Sequence, residues 1–152
     1  MEGYNHEPTR DDTDILGARI GAQLIDTFVG IFLAYIVFTV FGVLGGATGD
    51  AGGAAAGLGI GIFGSLLTFV GYFFLLEGLW DGQTVGKRLL GIKVVKEDGS
   101  TCDIGSSFMR NILRIIDGFF YYVVGFIVMA ISDKRQRVGD RLAGTVVVRE
   151  QN

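Results

Sequence analysis

An aspartate inside an otherwise uncharged apolar segment is the feature of this sequence that most strongly suggests chemistry. Asp26 lies within residues 20–44, which carry no other charged side chain. A charged carboxylate on a helix in hydrocarbon costs about 2.5–3.5 kcal/mol on insertion scales, so it must be protonated, paired with a cation or in contact with water. Intramembrane acids of this kind mark pathways for ions, protons and polar solutes. Asp26 is therefore the first candidate for an ion or ligand site.

A second acid and three arginines are candidates to act together with Asp26. Arg19 lies seven residues earlier, on roughly the same face of a helix and about 10 Å away along its axis. Arg110 and Arg114 are four residues apart on one face of a later predicted helix, and Asp117 follows them. Two interpretations stay open at this point. The charges form either a buried ion-pair cluster that only locks helices together, or a site for a cation, a proton or a polar solute.

Composition argues against several other classes of protein. The chain has one histidine, His6, and one cysteine, Cys102, which excludes an internal disulfide and a zinc site built from Cys and His. The formal net charge of −3 gives no basic stripe for a nucleic acid partner. No nucleophile–base pair is visible. We therefore expect a protein that is not an enzyme, without a cofactor, a catalytic residue or a metal.

The elements that would position these charges are predicted to be membrane-spanning helices. Hydrophobic residues make up 49% of the 152 residues, and residues 27–49 and 51–76 contain no charge at all. A bilayer core needs roughly 20 helical residues, so both runs are long enough to span it. We predict spans at residues 20–44 and 58–80, joined by a loop rich in Gly and Ala at residues 45–57. Gly57 and Gly61 are expected to let the two helices pack closely.

A third apolar run, residues 118–132, is about 22 Å long as a helix, which is too short for a simple crossing. Lysine and arginine are frequent both between residues 87 and 114 and in the C-terminal tail, so the positive-inside rule places both regions and the N-terminus in the cytoplasm. We therefore predict a helical hairpin, residues 104–116 and 119–131, broken at Asp117 and Gly118. It would be re-entrant or nearly spanning.

Two Val-rich stretches, residues 90–96 and 145–149, read as strands, and each is either unpaired or part of one small sheet. The predicted fold is an all-α integral membrane protein with two transmembrane helices, the shorter helical hairpin and a small cytoplasmic β pair. We divide the chain into a polar acidic N-terminal tail (1–16), a transmembrane domain (17–149) and a C-terminal tail (150–152).

Polar motifs follow one another along nearly the whole chain, from about residue 17 to residue 149. They are Arg19 with Asp26, residues 82–88 leading into residues 91–95, residues 110–117, and residues 136–145. In this order they resemble the RDD family of membrane proteins. The resemblance implies a polytopic protein of unknown molecular function for which transport has been suggested, and so it supports the architecture more than an activity.

The family name refers to one arginine and two aspartates. Arg19 and Asp26 match the first two, and both Asp117 and Asp140 stay open for the last. Asp140 lies in a polar turn before the second strand, where it is expected to cap backbone N–H groups or to pair with Arg88 or Arg137. Asp140 and Gly144, which precedes that strand, are therefore expected to be structural.

The leading functional hypothesis is a small multi-pass protein of the cell membrane that takes part in transport of a cation, a proton or a polar solute. Asp26 and Asp117 would be the ion or ligand carboxylates, and Arg19, Arg110 and Arg114 their charge partners. Besides the lipid bilayer, a homo-oligomer and a membrane protein partner are expected. The alternative hypothesis is a non-transporting assembly or scaffold module that docks a partner through its cytoplasmic face.

Overall fold

The structure is a computed structural model that describes residues 4–119, 127–128, 130–132 and 134–150, with the side chains of residues 114–119 outside the description. It is mostly helical, with one small antiparallel β pair. In chain order its elements are α1 (Arg10–Thr13), α2 (Leu16–Gly46), α3 (Ala51–Leu79), α4 (Val85–Leu89), β1 (Ile92–Lys96), α5 (Ile104–Phe119), α6 (Val138–Leu142) and β2 (Thr145–Arg149).

The chain forms two compact units. One consists of Met1–Asp26 together with Phe73–Asn152, and the other is Thr27–Tyr72. We call them the charged unit and the apolar unit, after the side chains that distinguish them below. The division into a tail and one domain stays a prediction, although α1 already lies within the segment predicted as a tail.

The apolar unit holds most of α2 and α3, whose length and hydropathy suffice to cross a bilayer. Its two helical segments touch through glycine. A Cβ added to Gly45 would lie 2.6 Å from the Cα of Gly57, and one added to Gly57 would lie 2.6 Å from the Cα of Gly45. The Ser65 hydroxyl also donates to the carbonyl of Ala34 at 2.7 Å. The predicted close packing at Gly57 is thus confirmed.

The loop between these helices is shorter than predicted, because α3 already begins at Ala51. A carboxylate oxygen of Asp50 accepts a hydrogen bond from the backbone N–H of Gly53 at 2.7 Å, which satisfies a free donor of the first turn. The same hydrogen bond lowers the pKa of Asp50. Three consecutive alanines follow at residues 54–56 and favour the helix. The assignment of residues 51–57 to a loop was therefore wrong.

The charged unit is built on the β pair, and the predicted strands and their pairing are confirmed. β1 and β2 run antiparallel, with Val94 opposite Val147. Val94 and Val147 belong to an apolar core that also includes Ile15 and Ala22 from the N-terminal part of the chain, together with the buried Cys102. This core fixes the start of α2, and therefore the position of Arg19 and Asp26, against the sheet.

Helix α5 has its polar face inside and its apolar face outside. Ser107, Arg110 and Asn111 are buried, whereas Phe108 and Met109 are each 47% exposed. This is the reverse of an ordinary amphipathic helix of a water-soluble protein. The buried face explains how Arg110 reaches the interior of the charged unit.

The predicted helix break at Asp117 and Gly118 was wrong, because α5 continues through both residues to Phe119. A single glycine in a helix is only about 1 kcal/mol less favourable than alanine, which is too small a cost to end a helix by itself. Most of the second helix of the predicted hairpin, residues 119–131, lies outside the described residues.

Candidate functional site, a buried ion network

Asp26 is buried, with 2% of its surface exposed, and it binds the start of α4. Its carboxylate accepts hydrogen bonds from the hydroxyl of Thr84 at 2.5 Å and from the backbone N–H of Gly86 at 2.7 Å. Thr84 is the residue that precedes α4, and N–H groups at the start of a helix bind carboxylates favourably. The motif at residues 82–88 therefore satisfies the buried carboxylate of α2 through hydrogen bonds.

The fit between α2 and α4 depends on the absence of a side chain at Gly86. A Cβ at this position would lie 2.4 Å from the carbonyl oxygen of Ala22 and 3.0 Å from the carboxyl carbon of Asp26. Because the first of these atoms is backbone, it cannot rotate away. Glycine at this position therefore lets the backbone of α4 come close enough to donate to Asp26.

Asp140 is the centre of a second part of the site. It is 2% exposed, and its carboxylate pairs with Arg19 Nη2 at 2.7 Å and with Arg110 Nη2 at 3.0 Å. It also accepts a hydrogen bond from the backbone N–H of Arg137 at 3.1 Å. Burial alone would raise the pKa of Asp140, but Arg110, Arg19 and Arg137 together hold it well below its usual value. Asp140 is therefore an anion in the folded protein.

Glu77 is fully buried near the end of α3 and connects this part of the site to α4 and α5. It pairs with Lys87 Nζ and with Arg110 Nε, the latter at 3.4 Å, and accepts a hydrogen bond from Asn111 Nδ2 at 3.0 Å. Arg110 thus bridges the carboxylates of Glu77 and Asp140. Removal of one partner from a buried ion pair typically costs about 3–5 kcal/mol, so the bridge is a major determinant of stability.

The structure brings together four of the residues predicted from the sequence, namely Arg19, Asp26, Arg110 and Asp140. The side chains of Arg114 and Asp117 lie outside the description, so their predicted roles are untested. Gly144 adopts φ +59°, a left-handed conformation that favours glycine, directly before β2.

Sequence reasoning missed several members of the network. The sequence analysis gives no role in the site to Glu77, Thr84, Lys87 or Asn111. Two signals were present in the sequence. Glu77 directly follows the 26 uncharged residues 51–76, and Thr84 and Lys87 lie within the motif at residues 82–88.

Arg88, one of the expected partners of Asp140, instead lies over the ring of Trp80 at 5.0 Å.

The buried charged groups of the site compensate one another through ion pairs and hydrogen bonds. In the part of the chain that the structure describes, no group of three His, Cys, Asp or Glu residues is arranged to hold a metal ion. Burial raises the pKa of the nearby Cys102 thiol to about 11, so this group is neutral and a poor nucleophile at pH 7.

Comparison with known proteins identifies a family whose sequence pattern this chain shares. The model of the RDD family matches residues 15–144. Two similar proteins come from Bacillus subtilis (strain 168): the uncharacterised protein YckC, 32% identical over 83 residues, and the uncharacterised protein YxaI, 36% identical over 64 residues.

The aligned regions cover 50% of this chain and 53% of YckC, and 42% of this chain and 42% of YxaI. The chain thus spans about half the length of the curated relatives it matches. No solved structure matches.

Proposed function

The chain belongs to the RDD family, and on this basis we propose that it is a multi-pass protein of the cell membrane in which α2 and α3 cross the bilayer. Large apolar side chains on these helices support this placement, since Phe28 is 74% exposed and Phe63 is 66% exposed. A contiguous apolar surface of this kind is unfavourable in water and marks a membrane or protein contact. The exposed apolar face of α5 supports the same placement, with this helix at the membrane surface.

The basic residues define the proposed orientation. The segment between α3 and α5, the N-terminus and the C-terminal tail lie on the cytoplasmic side, in accordance with the positive-inside rule. Two spans seldom enclose a path through a bilayer, and so the functional unit is a homo-oligomer.

The function that this geometry supports best is transport of a cation, a proton or a polar solute. The observation that carries the proposal is the buried cluster of charged side chains around Asp26, placed where the uncharged segment of α2 begins. A proton or a cation that binds Asp26 weakens its hydrogen bonds to Thr84 and Gly86. Binding at the carboxylate is therefore coupled to the position of α4.

Flux measurements in proteoliposomes test this proposal. The purified protein is expected to move protons, Na⁺ or K⁺ down an imposed gradient, and Asp26→Asn is expected to lose most of that flux. Asp11→Asn, which changes an exposed acid of α1, is the matched control and keeps the flux. Full flux in Asp26→Asn, alongside clear flux in the unchanged protein, would refute a role for this carboxylate.

A non-transporting scaffold is the second candidate, and it is favoured by the compensation of Glu77 and Asp140 by neighbouring cations. In that case the network only holds the charged unit together, and exposed basic residues such as Arg141 and Arg149 bind a partner. Membrane pull-downs with Arg141→Gln/Arg149→Gln distinguish the candidates. Loss of a specific partner, in a protein that shows no flux, supports the scaffold.

A further inference from the structure

Two stretches of the charged unit repeat one sequence pattern. Residues 83–97 read QTVGKRLLGIKVVKE and residues 136–150 read QRVGDRLAGTVVVRE, which are identical at nine of their 15 positions without a gap. Each stretch folds into a short helix, a turn and a strand, α4 with β1 and α6 with β2. We call them the first repeat and the second repeat.

The contacts of the two repeats match as well. The glutamine that opens each repeat donates to the first strand residue of its own repeat and to the last glutamate of the other. Gln83 Nε2 lies 3.3 Å from the carbonyl oxygen of Ile92 and 3.1 Å from a carboxylate oxygen of Glu150. Gln136 Nε2 makes the two equivalent contacts at 2.9 Å and 2.5 Å. The glycine before each strand is left-handed in both repeats, with φ of +62° and +59°.

The strands of the two repeats define a twofold axis. They run antiparallel, and Val94 lies opposite its equivalent, Val147. Equivalent residues that face each other across an antiparallel pair are related by a half-turn about an axis perpendicular to the sheet. A half-turn leaves the height along the axis unchanged, so equivalent groups of the two repeats lie at one height. Such groups can contact one flat surface together.

Both repeats expose an arginine followed by a leucine. Leu89 is 69% exposed and its equivalent Leu142 is 66% exposed, and each follows an exposed arginine, Arg88 or Arg141. The buried residue just before this pair changes from lysine in the first repeat to aspartate in the second, although the pair itself is the same. A single exposed leucine is ordinary, but the same Arg–Leu pair on both repeats indicates a shared surface partner.

An anionic bilayer surface fits this pair of residue types. Leucine side chains of interfacial segments lie among acyl chains, and arginine is attracted to anionic headgroups. The first repeat is tied to a residue that favours the membrane–water interface, since the Arg88 guanidinium lies 5.0 Å from the centre of the Trp80 ring. Trp80 directly follows α3.

We propose that the Arg–Leu pairs at residues 88–89 and 141–142 bind one anionic bilayer surface together, with the leucines among the acyl chains and the guanidinium groups at the headgroup phosphates. Two pairs at one height suit a flat partner, which holds the charged unit at two points. The inference rests on the proposed membrane placement of α2 and α3 and does not depend on the proposed transport.

Fluorescence quenching by brominated acyl chains tests the proposal, because Trp80 is the only tryptophan of the chain. In a Trp80→Phe background, Leu142→Trp places a single tryptophan at the second repeat, far along the chain from α3. Phe63→Trp reports on the apolar unit. Asp11→Trp, at an exposed acid of α1, is the control. Each protein is reconstituted into brominated phosphatidylcholine vesicles with and without phosphatidylglycerol.

We expect quenching of Leu142→Trp in the anionic vesicles, weaker quenching in the neutral ones and none of Asp11→Trp. Each arginine near an anionic surface contributes about fivefold to binding, so Arg88→Gln/Arg141→Gln is expected to lower the docking constant about 25-fold. Arg10→Gln, at an exposed arginine of α1, is expected to leave this constant unchanged.

The outcomes separate this proposal from the membrane placement on which it rests. Quenching of Phe63→Trp without quenching of Leu142→Trp would overturn the docking surface and leave the membrane placement intact. An unquenched Phe63→Trp would refute the membrane placement, and the docking surface with it. Equal quenching of Leu142→Trp in neutral and anionic vesicles would contradict binding of headgroup phosphates by the arginines.

Discussion

The two units of this chain expose and bury opposite kinds of side chain. In the apolar unit, large apolar residues such as Phe28 and Phe63 are exposed and the helices meet at Gly45 and Gly57. In the charged unit, carboxylates and guanidinium groups are buried and packed against a valine-rich sheet. The difference teaches that the two units are held together by different interactions, close packing at glycine in one and buried ion pairs in the other. For the proposed membrane placement this matches the rule that lipid does not drive apolar helices together, so that small residues and close contact do.

The largest expected effect on stability comes from removal of the Arg110 side chain, which bridges two carboxylates in the charged unit. Arg110→Met leaves Glu77 and Asp140 buried with fewer compensating cations, and so it is expected to destabilise the protein by about 3–5 kcal/mol. Denaturant titration in detergent measures the change in the free energy of unfolding. Arg141→Met, at an exposed arginine of α6, is expected to change stability by less than about 0.5 kcal/mol. Similar values for the two variants would mean that the network adds little.

The next largest effect is a difference in stability between alanine variants of two glycines. These glycines occupy the same position in two helices of the charged unit. Gly86 is the second residue of α4 and Gly105 the second residue of α5. Gly86→Ala forces a Cβ against the carbonyl of Ala22, at an expected cost of about 2–3 kcal/mol. At Gly105 the nearest atom, a carboxylate oxygen of Asp103, is 3.5 Å away, so Gly105→Ala is expected to be neutral or to stabilise by about 0.4–1 kcal/mol.

Unfolding titrations of both alanine variants provide this comparison. If Gly86→Ala is as stable as Gly105→Ala, α2 and α4 have room for a Cβ between them at position 86.

The same kind of substitution tests cohesion in the apolar unit. Gly57→Ala places a Cβ 2.5 Å from the carbonyl oxygen of Phe41, whereas a Cβ at Gly59 meets nothing within 4 Å. We expect Gly57→Ala to destabilise by about 1–2 kcal/mol and Gly59→Ala to have no such effect. Resistance of each variant to unfolding in mixed micelles is the measurement. Equal resistance would show that small residues do not determine this contact.

The smallest effect is the pH dependence of an exposed ion pair in the charged unit. Lys96 Nζ lies 2.6 Å from a carboxylate oxygen of Asp103, and this hydrogen bond is the main reason that the pKa of Asp103 falls from 3.8 to about 2. A carboxyl group whose folded-state pKa is lowered stabilises the protein above its unfolded-state pKa. That contribution is lost as the pH falls from about 4 to about 2.

Because Asp103 is exposed, its contribution is expected to be below about 1 kcal/mol. Asp103→Asn should flatten the stability curve slightly over this pH range. Asp11→Asn, at another exposed acid, is not expected to flatten it. A steeper curve for Asp103→Asn than for the unchanged protein would reverse the expected sign.

Local patterns were sufficient to predict several elements. The uncharged runs predicted α2 and α3, because run length alone decides whether a helix can span a bilayer. The valine-rich stretches predicted β1 and β2, and each was the obvious candidate partner of the other. Position within the chain also identified Asp26 as a residue that needs compensation, because a carboxylate in an apolar segment is unfavourable wherever the segment lies.

Features that depend on contacts between distant residues were not predictable. Thr84 and Asp26 are separated by 58 residues, and no local pattern indicates that a hydroxyl and a backbone N–H at the start of α4 face that acid. No local pattern links Glu77 to its partners either, because Lys87 belongs to α4 and Arg110 and Asn111 belong to α5. The end of α5 was missed because the weak local preference of Gly118 against a helix was given too much weight.

The pairing of Arg19 with Asp140 has a consequence for biosynthesis. The two residues are 121 positions apart, so Arg19 leaves the ribosome long before its anionic partner has been synthesised. At about 5–20 residues per second, the interval is roughly 6–24 s. During that time Arg19, near the start of α2, lacks the carboxylate with which it pairs in the folded protein. Nascent chains that stop short of Asp140 lack this contact between the start of α2 and α6.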